Sequence, residues 1–267
     1  MKSAILILLL SVMSITSFSQ TKKSNQTKKM ETIVLVHGAW SDASAWDGVV
    51  AILKGKGYDV IAVNLPGHGK DTTSIATISL DTYVNTVKAA IGDKKNIILL
   101  GHSFAGIVIS QVAEEIPGQI KELIYLAAYL PKNGESLLSL AQQDARSHIG
   151  KYLQIDKDHG AAIINKDGIV DAFVEDAPKN VQDYVVANWK TEPLAPLATP
   201  VTLTDANFGS VKKAYIHTVN DHAVSYVFQQ TMVKGSDVKT TAVLNSSHTP
   251  FISMPAKLVD AIIEVSK

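Results

Sequence analysis

From Glu31 onward the chain alternates short, β-rich apolar runs with longer stretches of helical spacing, and this alternation constrains the fold more than any other feature. Strand candidates fall at 32–36 (TIVLV), 59–63 (DVIAV), 96–100 (NIILL), 122–127 (ELIYLA), 213–218 (KAYIHT) and 240–245 (TTAVLN). Several are apolar at consecutive positions, so both faces of the strand shun water, as in parallel strands covered by helices on each side. Helix candidates lie between them at 43–55, 80–91, 105–116, 225–234 and 255–266. The second shows Leu80, Tyr83, Val84, Val87 and Ile91 at helical spacing. Such alternation predicts an α/β protein with an open, mainly parallel sheet flanked by helices. From about 132 to 205 the alternation breaks. Prolines gather there (Pro178, Pro193, Pro196, Pro200), and Val181, Tyr184, Val185 and Trp189 form one amphipathic patch. A structureless loop of that length is improbable inside a compact domain, so the segment is expected to be an inserted, mostly helical cap.

With 267 residues the chain is long enough to bury a full core in one large domain, here expected over 31–267. Twenty-five basic residues balance twenty-five acidic ones. No basic surplus exists to neutralise a phosphate backbone, which argues against nucleic acid as a partner. Arg146 is the only arginine. Guanidinium clamps on anions are therefore nearly unavailable, and a largely neutral substrate is favoured. There are no cysteines, which removes thiol nucleophiles and thiolate metal sites and leaves stability to the core. Lys2 followed by the apolar run 4–13 (AILILLLSVM) and small residues at Ser17 and Ser19 reads as an export signal over 1–19, cleaved near Ser19–Gln20. The alternative, a membrane anchor, normally needs about twenty apolar residues. Residues 20–30 are polar, Lys-rich and expected to be a flexible leader. The mature protein is then exported, periplasmic or secreted, with no stable membrane insertion.

The strongest chemical signal is Gly101-His102-Ser103-Phe104-Ala105-Gly106, set between an apolar strand and a helix. This is close to the nucleophile elbow G-x-S-x-G in the strand–turn–helix context it requires. The fifth position is Ala105, with glycine only at 106. The turn holds Ser103 in a strained conformation at a helix N-terminus, where the dipole favours developing negative charge. A serine needs a base, and chain order in proteins with such an elbow is serine, acid, histidine. His248 follows the last strand and precedes the final helix, so it is the base of choice. His102 flanks the serine, but successive side chains in a tight turn diverge. His37 and His68 lie on earlier loops, His148 and His159 fall in the cap with a surface role expected, and His217 lies within a strand. For the carboxylate, Asp221 comes directly after the strand 213–218, where it can reach the base and fix its tautomer, with Asp237 as a more distant competitor. His222 beside Asp221 makes an Asp-His pair, but without further spaced ligands no metal site is expected. The tetrahedral intermediate needs oxyanion donors. These are expected to be the amides of Phe104 and Ala39, with Gly38 leaving room for substrate and Trp40 lining its pocket. Trp46 fits pocket lining or ordinary packing.

Taken together, IVLVHGAW, LPGHGKD at 65–71, GHSFAG, YLAAYLP at 125–131, FGSVKKAYIHT at 208–218 and SSHTPF at 246–251 resemble the α/β-hydrolase branch of plant methyl salicylate esterases, hydroxynitrile lyases and related bacterial esterases. The resemblance covers nearly the whole mature chain and supports Asp221 over Asp237, since Asp221 and Phe228 follow FGSVKKAYIHT at familiar spacing. It implies an α/β-hydrolase fold with a helical cap over the nucleophile, no cofactor, and a tendency to form homodimers. The implied activity is hydrolysis of a small-molecule aryl or alkyl ester by a carboxylesterase-type Ser-His-Asp triad. The lyases resemble the esterases but carry threonine after the first-loop histidine and lysine after the catalytic one. Gly38 and Thr249 occupy those positions here, and Thr249 supplies no charge for a departing cyanide. Some relatives sense small ligands instead, so a binding protein with residual hydrolysis is the remaining alternative.

Overall fold

The computed structural model describes residues 31–267; the expected export signal and leader lie outside them. Nine strands occur among these residues: β1 (Thr32–Val36), β2 (Asp59–Val63), β3 (Ile97–His102), β4 (Ile120–Leu126), β5 (Leu153–Asp156), β6 (Ala161–Ile164), β7 (Glu192–Pro193), β8 (Lys212–Thr218) and β9 (Val238–Leu244). Six of them form one sheet in the order β2-β1-β3-β4-β8-β9, every pairing parallel. Side chains alternate between its faces. Ile33, Leu35, Ile98, Leu100, Ile124 and Leu126 enter the layer covered by α1 (Asp47–Gly55) and the C-terminal helix Pro255–Val265. Val34, Val36, Leu99, Leu123 and Tyr125 enter the opposite layer, under α2 (Leu80–Ile91) and α3 (Ala105–Glu115). The edge strand β9 alternates between half-buried and exposed positions, consistent with a single covered face.

The strand order reverses at β1. The chain passes outward from β1 to β2, then returns to place β3 on the other side of β1. In open α/β sheets the crevice at such a switch point, beyond the carboxyl ends of the strands, is where ligands bind. Val36 pairs with Gly101, so the loop after β1 and the elbow after β3 leave the sheet side by side.

Between β4 and β8 the chain builds the cap: α4 (Leu137–Ala141), α5 (Ile149–Tyr152), α6 (Lys166–Ile169), α7 (Lys179–Asn188) and α8 (Leu194–Ala198), with a π-helical turn Val170–Val174 continuing α6. It also contains a three-stranded antiparallel sheet, β5-β6-β7, that the sequence did not announce. Its strands have two to four residues, too short to display a period. Ala162, Ile164, Ile169, Phe173 and Leu197 join the core layer of α2 and α3, so the cap shares a core with the sheet domain. After β8 come α9 (Tyr226–Lys234), then α10 (Pro250–Ser253) and α11, the C-terminal helix Pro255–Val265.

Candidate active site

Ser103 lies at the junction of β3 and α3 with φ +53, in the left-handed region that side chains other than glycine rarely adopt. Backbone bonds hold it there: Ser103 N donates to the Leu126 carbonyl (3.1 Å), and its own carbonyl accepts from the amides of Gly106 and Tyr129 (both 3.1 Å). The glycines explain the imperfect motif. A Cβ on Gly101 would lie 2.7 Å from the Ala105 carbonyl oxygen, and one on Gly106 would lie 2.0 Å from that of Tyr129. Glycine is therefore required at 106, where α3 crosses the chain after β4, while the buried Ala105 fits without difficulty. A Cβ on Gly38 would meet Ser103 Cβ and His102 Nδ1, each at 2.9 Å. Gly38 thus lets the loop after β1 approach the elbow.

His248, on the loop between β9 and α10, is fully buried. Its Nδ1 hydrogen-bonds Asp221 Oδ2 at 2.8 Å. With the proton on Nδ1, Nε2 is a bare acceptor, and it has no partner among the described residues. A buried nitrogen left open in this way calls for a chemical reason. The elbow is adjacent: the His102 ring centroid is 4.5 Å from that of His248, and His102 Nε2 hydrogen-bonds the His248 carbonyl at 2.9 Å. Burial, and then the neighbouring His248, hold His102 well below the ordinary imidazole range, so it stays neutral.

Asp221 is held at every lone pair. Oδ1 accepts from the amides of Ala223 and Val224 (both 2.8 Å); Oδ2 accepts from Thr218 Oγ1 (2.7 Å) and Gln229 Nε2 (3.1 Å) besides His248. Gln229, buried on α9, also accepts the Thr218 amide and donates to the Val224 carbonyl. Sequence reasoning missed Gln229. No local signal marks it, because a helical glutamine reads as surface until the fold delivers Thr218 and Asp221 to it. Asp237, the competing acid, is exposed near the start of β9 and pairs with Lys239.

The amides of Ala39 and Phe104 donate to no other group among the described residues. The loop carrying Ala39 is fixed from both ends. His37 Nδ1 donates to the Gly38 carbonyl (2.8 Å), while Nε2 accepts the Leu65 amide (3.1 Å); burial and then His68 push its pKa down to about 3. Trp40, at φ +58, donates its amide to Glu192 of β7 (2.8 Å) and its Nε1 to the Ala162 carbonyl (2.9 Å). Glu192 also hydrogen-bonds His68 Nε2 (2.8 Å) and accepts from Tyr83 Oη (3.3 Å). Burial opposes a charge on His68, but the hydrogen bond and charge of Glu192 outweigh it and raise its pKa.

A cavity of about 320 Å³ opens between cap and sheet, bordered by Ala39, Trp40, His102, Phe173, Trp189 and Thr249 among others. Ser103 itself is not in its wall. Phe173 makes edge-to-face contacts with Trp40 (5.8 Å) and His248 (5.5 Å), and Trp189 stacks on Trp40 (6.3 Å, 13°). Trp46 packs instead, fully buried against Phe251 and His102. Tyr184 stands at the mouth, 66% exposed, and contributes nothing to a cap core. The cap is stitched to the histidine loop: the Phe173 carbonyl accepts from Thr249 Oγ1 (2.7 Å), and Asp176 accepts from the Ser247 amide and hydroxyl.

The sheet order, the strained serine after β3 and the capped crevice define a class. The chain belongs to the alpha/beta hydrolase family, whose pattern it matches over residues 33–261. It is 31% identical over 249 residues to a chloroplastic protein of Arabidopsis thaliana named provisionally as methylesterase 11, covering 88% of this chain and 63% of that one. It is 28% identical over 242 residues to a pyrethroid hydrolase of Sphingobium wenxiniae, covering 87% and 86%. The chain spans about three-fifths of the length of the first curated relatives it matches. Among solved structures, it superposes on a pyrethroid hydrolase with BIF at a TM-score of 0.78 and 25% identity, covering 88% of this chain and 96% of that one. Polyneuridine aldehyde esterase superposes at a TM-score of 0.80 and 20% identity, over 90% and 100%. That likeness is one of fold. These neighbours are themselves named as esterases and hydrolases.

Proposed function

We propose that the protein is a serine esterase that cleaves small aryl or alkyl carboxylic esters through an acyl-enzyme, with Ser103 as nucleophile, His248 as general base and Asp221 behind it. The observation that carries this reading is the buried His248 ring, tied to Asp221 through Nδ1, left open at Nε2 and packed on His102, the neighbour of the left-handed Ser103. Ser103 Oγ attacks the ester carbonyl while His248 Nε2 accepts its proton. The imidazolium is stabilised by the Asp221 carboxylate, and the amides of Ala39 and Phe104 hold the oxyanion. His248 then protonates the departing alkoxide. Water, activated by the same nitrogen, hydrolyses the acyl-enzyme and restores Ser103.

The aromatic wall of Trp40, Phe173 and Trp189 supports an apolar, neutral substrate. Thr249 is uncharged and its hydroxyl is committed to the Phe173 carbonyl, which speaks against stabilising a cyanide leaving group. A panel of 4-nitrophenyl esters of graded acyl length tests the reading. Steady turnover with phenylmethylsulfonyl fluoride labelling confined to Ser103 is expected. Stoichiometric binding of esters without turnover would assign the protein to ligand sensing instead.

A further inference from the structure

The fold brings together a second cluster of side chains that ester hydrolysis does not use. His148 stands at the start of α5, Asp171 in the π-helical turn of the cap, and His222 on the loop after β8, next to Asp221. Both imidazoles aim Nδ1 at the same carboxylate, one at each oxygen: His148 to Oδ2 at 2.9 Å and His222 to Oδ1 at 3.0 Å. One donor atom from each of the three residues lies within 4.8 Å of the others. Glu175, four residues beyond Asp171, brings Oε2 to 3.4 Å from His222 Nδ1.

We propose that His148, Asp171 and His222, with Glu175 as a fourth ligand, bind one divalent transition-metal ion of the zinc class and thereby clamp the cap to the loop that bears Asp221. Two imidazole nitrogens and carboxylate oxygens are a donor set that suits a borderline ion better than calcium or magnesium, which prefer all-oxygen shells. Tetrahedral ligands at zinc bond lengths stand about 3.3 Å apart; the 2.9–3.4 Å contacts around Asp171 and His222 lie near that spacing, and the 4.8 Å limit on the three-residue cluster leaves its widest pair no more than about 1.5 Å to close. The ligands are positioned beforehand. The His148 amide donates to the His222 carbonyl at 2.8 Å, Ser147 Oγ donates to the Ala223 carbonyl at 2.7 Å, and the two rings lie 4.3 Å apart. Tyr152 Oη donates to Asp171 Oδ2 at 2.9 Å, the outer-shell bond that orients a ligating carboxylate. All three side chains keep about a third of their surface in water (28%, 29% and 33%), which leaves an ion a path in. In the sequence His222 stood beside one acid and suggested no site; its partners come from 51 and 74 residues away in the chain, since His148 and Asp171 both precede it in the cap.

The full chain, stripped with chelator, is titrated with zinc chloride by calorimetry and with cobalt(II) by visible absorption. We expect one equivalent of zinc bound and a cobalt d–d band that a hydrogen-bonded cluster alone does not produce. His148→Ala and His222→Ala should each weaken zinc binding at least tenfold, and His248→Ala should leave it unchanged. Asp171→Asn keeps the shape of the side chain and should weaken binding by a similar factor, so it decides the matter if a histidine variant fails to fold. No saturable zinc binding, or wild-type affinity in Asp171→Asn or in the double histidine variant, would overturn the proposal.

Discussion

Glu192, carried by the cap, accepts the backbone N–H of Trp40 at 2.8 Å, across 152 residues of chain. That amide follows Ala39 in the loop after β1, so a buried carboxylate of the insertion fixes the backbone beside the expected oxyanion donor. The same carboxylate pairs with His68, and both side chains are fully buried.

Removing one partner of such a network leaves the others buried without a mate. Glu192→Ala is expected to destabilise the protein by about 3–5 kcal/mol, as for other broken buried pairs, and Glu192→Gln by less, because its amide oxygen still accepts from Trp40. In the glutamine variant kcat should fall more than KM rises, since the loss falls on transition-state contacts. Urea unfolding together with ester kinetics checks this. A Glu192→Ala protein of wild-type stability would show that the network is incidental.

Stability should fall on acidification well before the carboxylates titrate. His37 and His102 are buried with pKa values below the ordinary 6.5. Unfolded, they take up protons below 6.5; folded, they do not until much lower pH. Their contribution is therefore intact above 6.5 and is lost as pH falls, each group adding about 1.4 kcal/mol per pH unit to the slope. His68 has the opposite sign. Its raised pKa makes the Glu192 pair fully stabilising below 6.5 and lost as pH rises through the folded value. Urea midpoints between pH 6 and 4.5 should decline steeply, and His102→Asn should make that decline shallower. An unaltered slope in the variant would contradict the assignment.

The cap should choose the substrate without performing the chemistry. Trp189 lines the cavity and its buried Nε1 has no partner among the described residues; Tyr184 borders the same cavity but stands largely in water. Trp189→Ala is expected to change the kcat/KM ratio between short and long acyl esters by roughly 10- to 200-fold. Tyr184→Ala should stay within about 0.5 kcal/mol of wild-type stability. Acyl-length profiles and melting curves measure the two effects. An unchanged profile in Trp189→Ala would move specificity to the strand-end loops.

The sheet was legible because buried parallel strands are continuous apolar runs that helices must cover. Its edges were less so. Asn96 has φ +59 and belongs to the turn, while Gly101 and His102 continue the pairing with Tyr125 and Leu126, so β3 is shifted toward the elbow it carries. Ser103 and His248 were singled out by local context, one in a turn motif and one after the last strand. Glu192 and Gln229 could not. Glutamate before proline in a proline-rich stretch looks solvent-exposed, and a glutamine in a helix looks like surface. Each gains its role only from partners that the fold delivers: Trp40, His68 and Tyr83 for the first, Thr218 and Asp221 for the second. The cap sheet was hidden for a related reason, since β7 is two residues long and pairs with β6 some thirty positions earlier.

The steady-state rate of Ser103→Ala on a 4-nitrophenyl ester tests whether the strained serine after β3 is the nucleophile. With far-UV circular dichroism and melting temperature unchanged, kcat is expected to fall by about 10⁴- to 10⁶-fold, as for other triad deletions. A folded Ser103→Ala protein that keeps about a tenth of the wild-type rate, far above what triad deletions leave, would rule out Ser103 as the nucleophile.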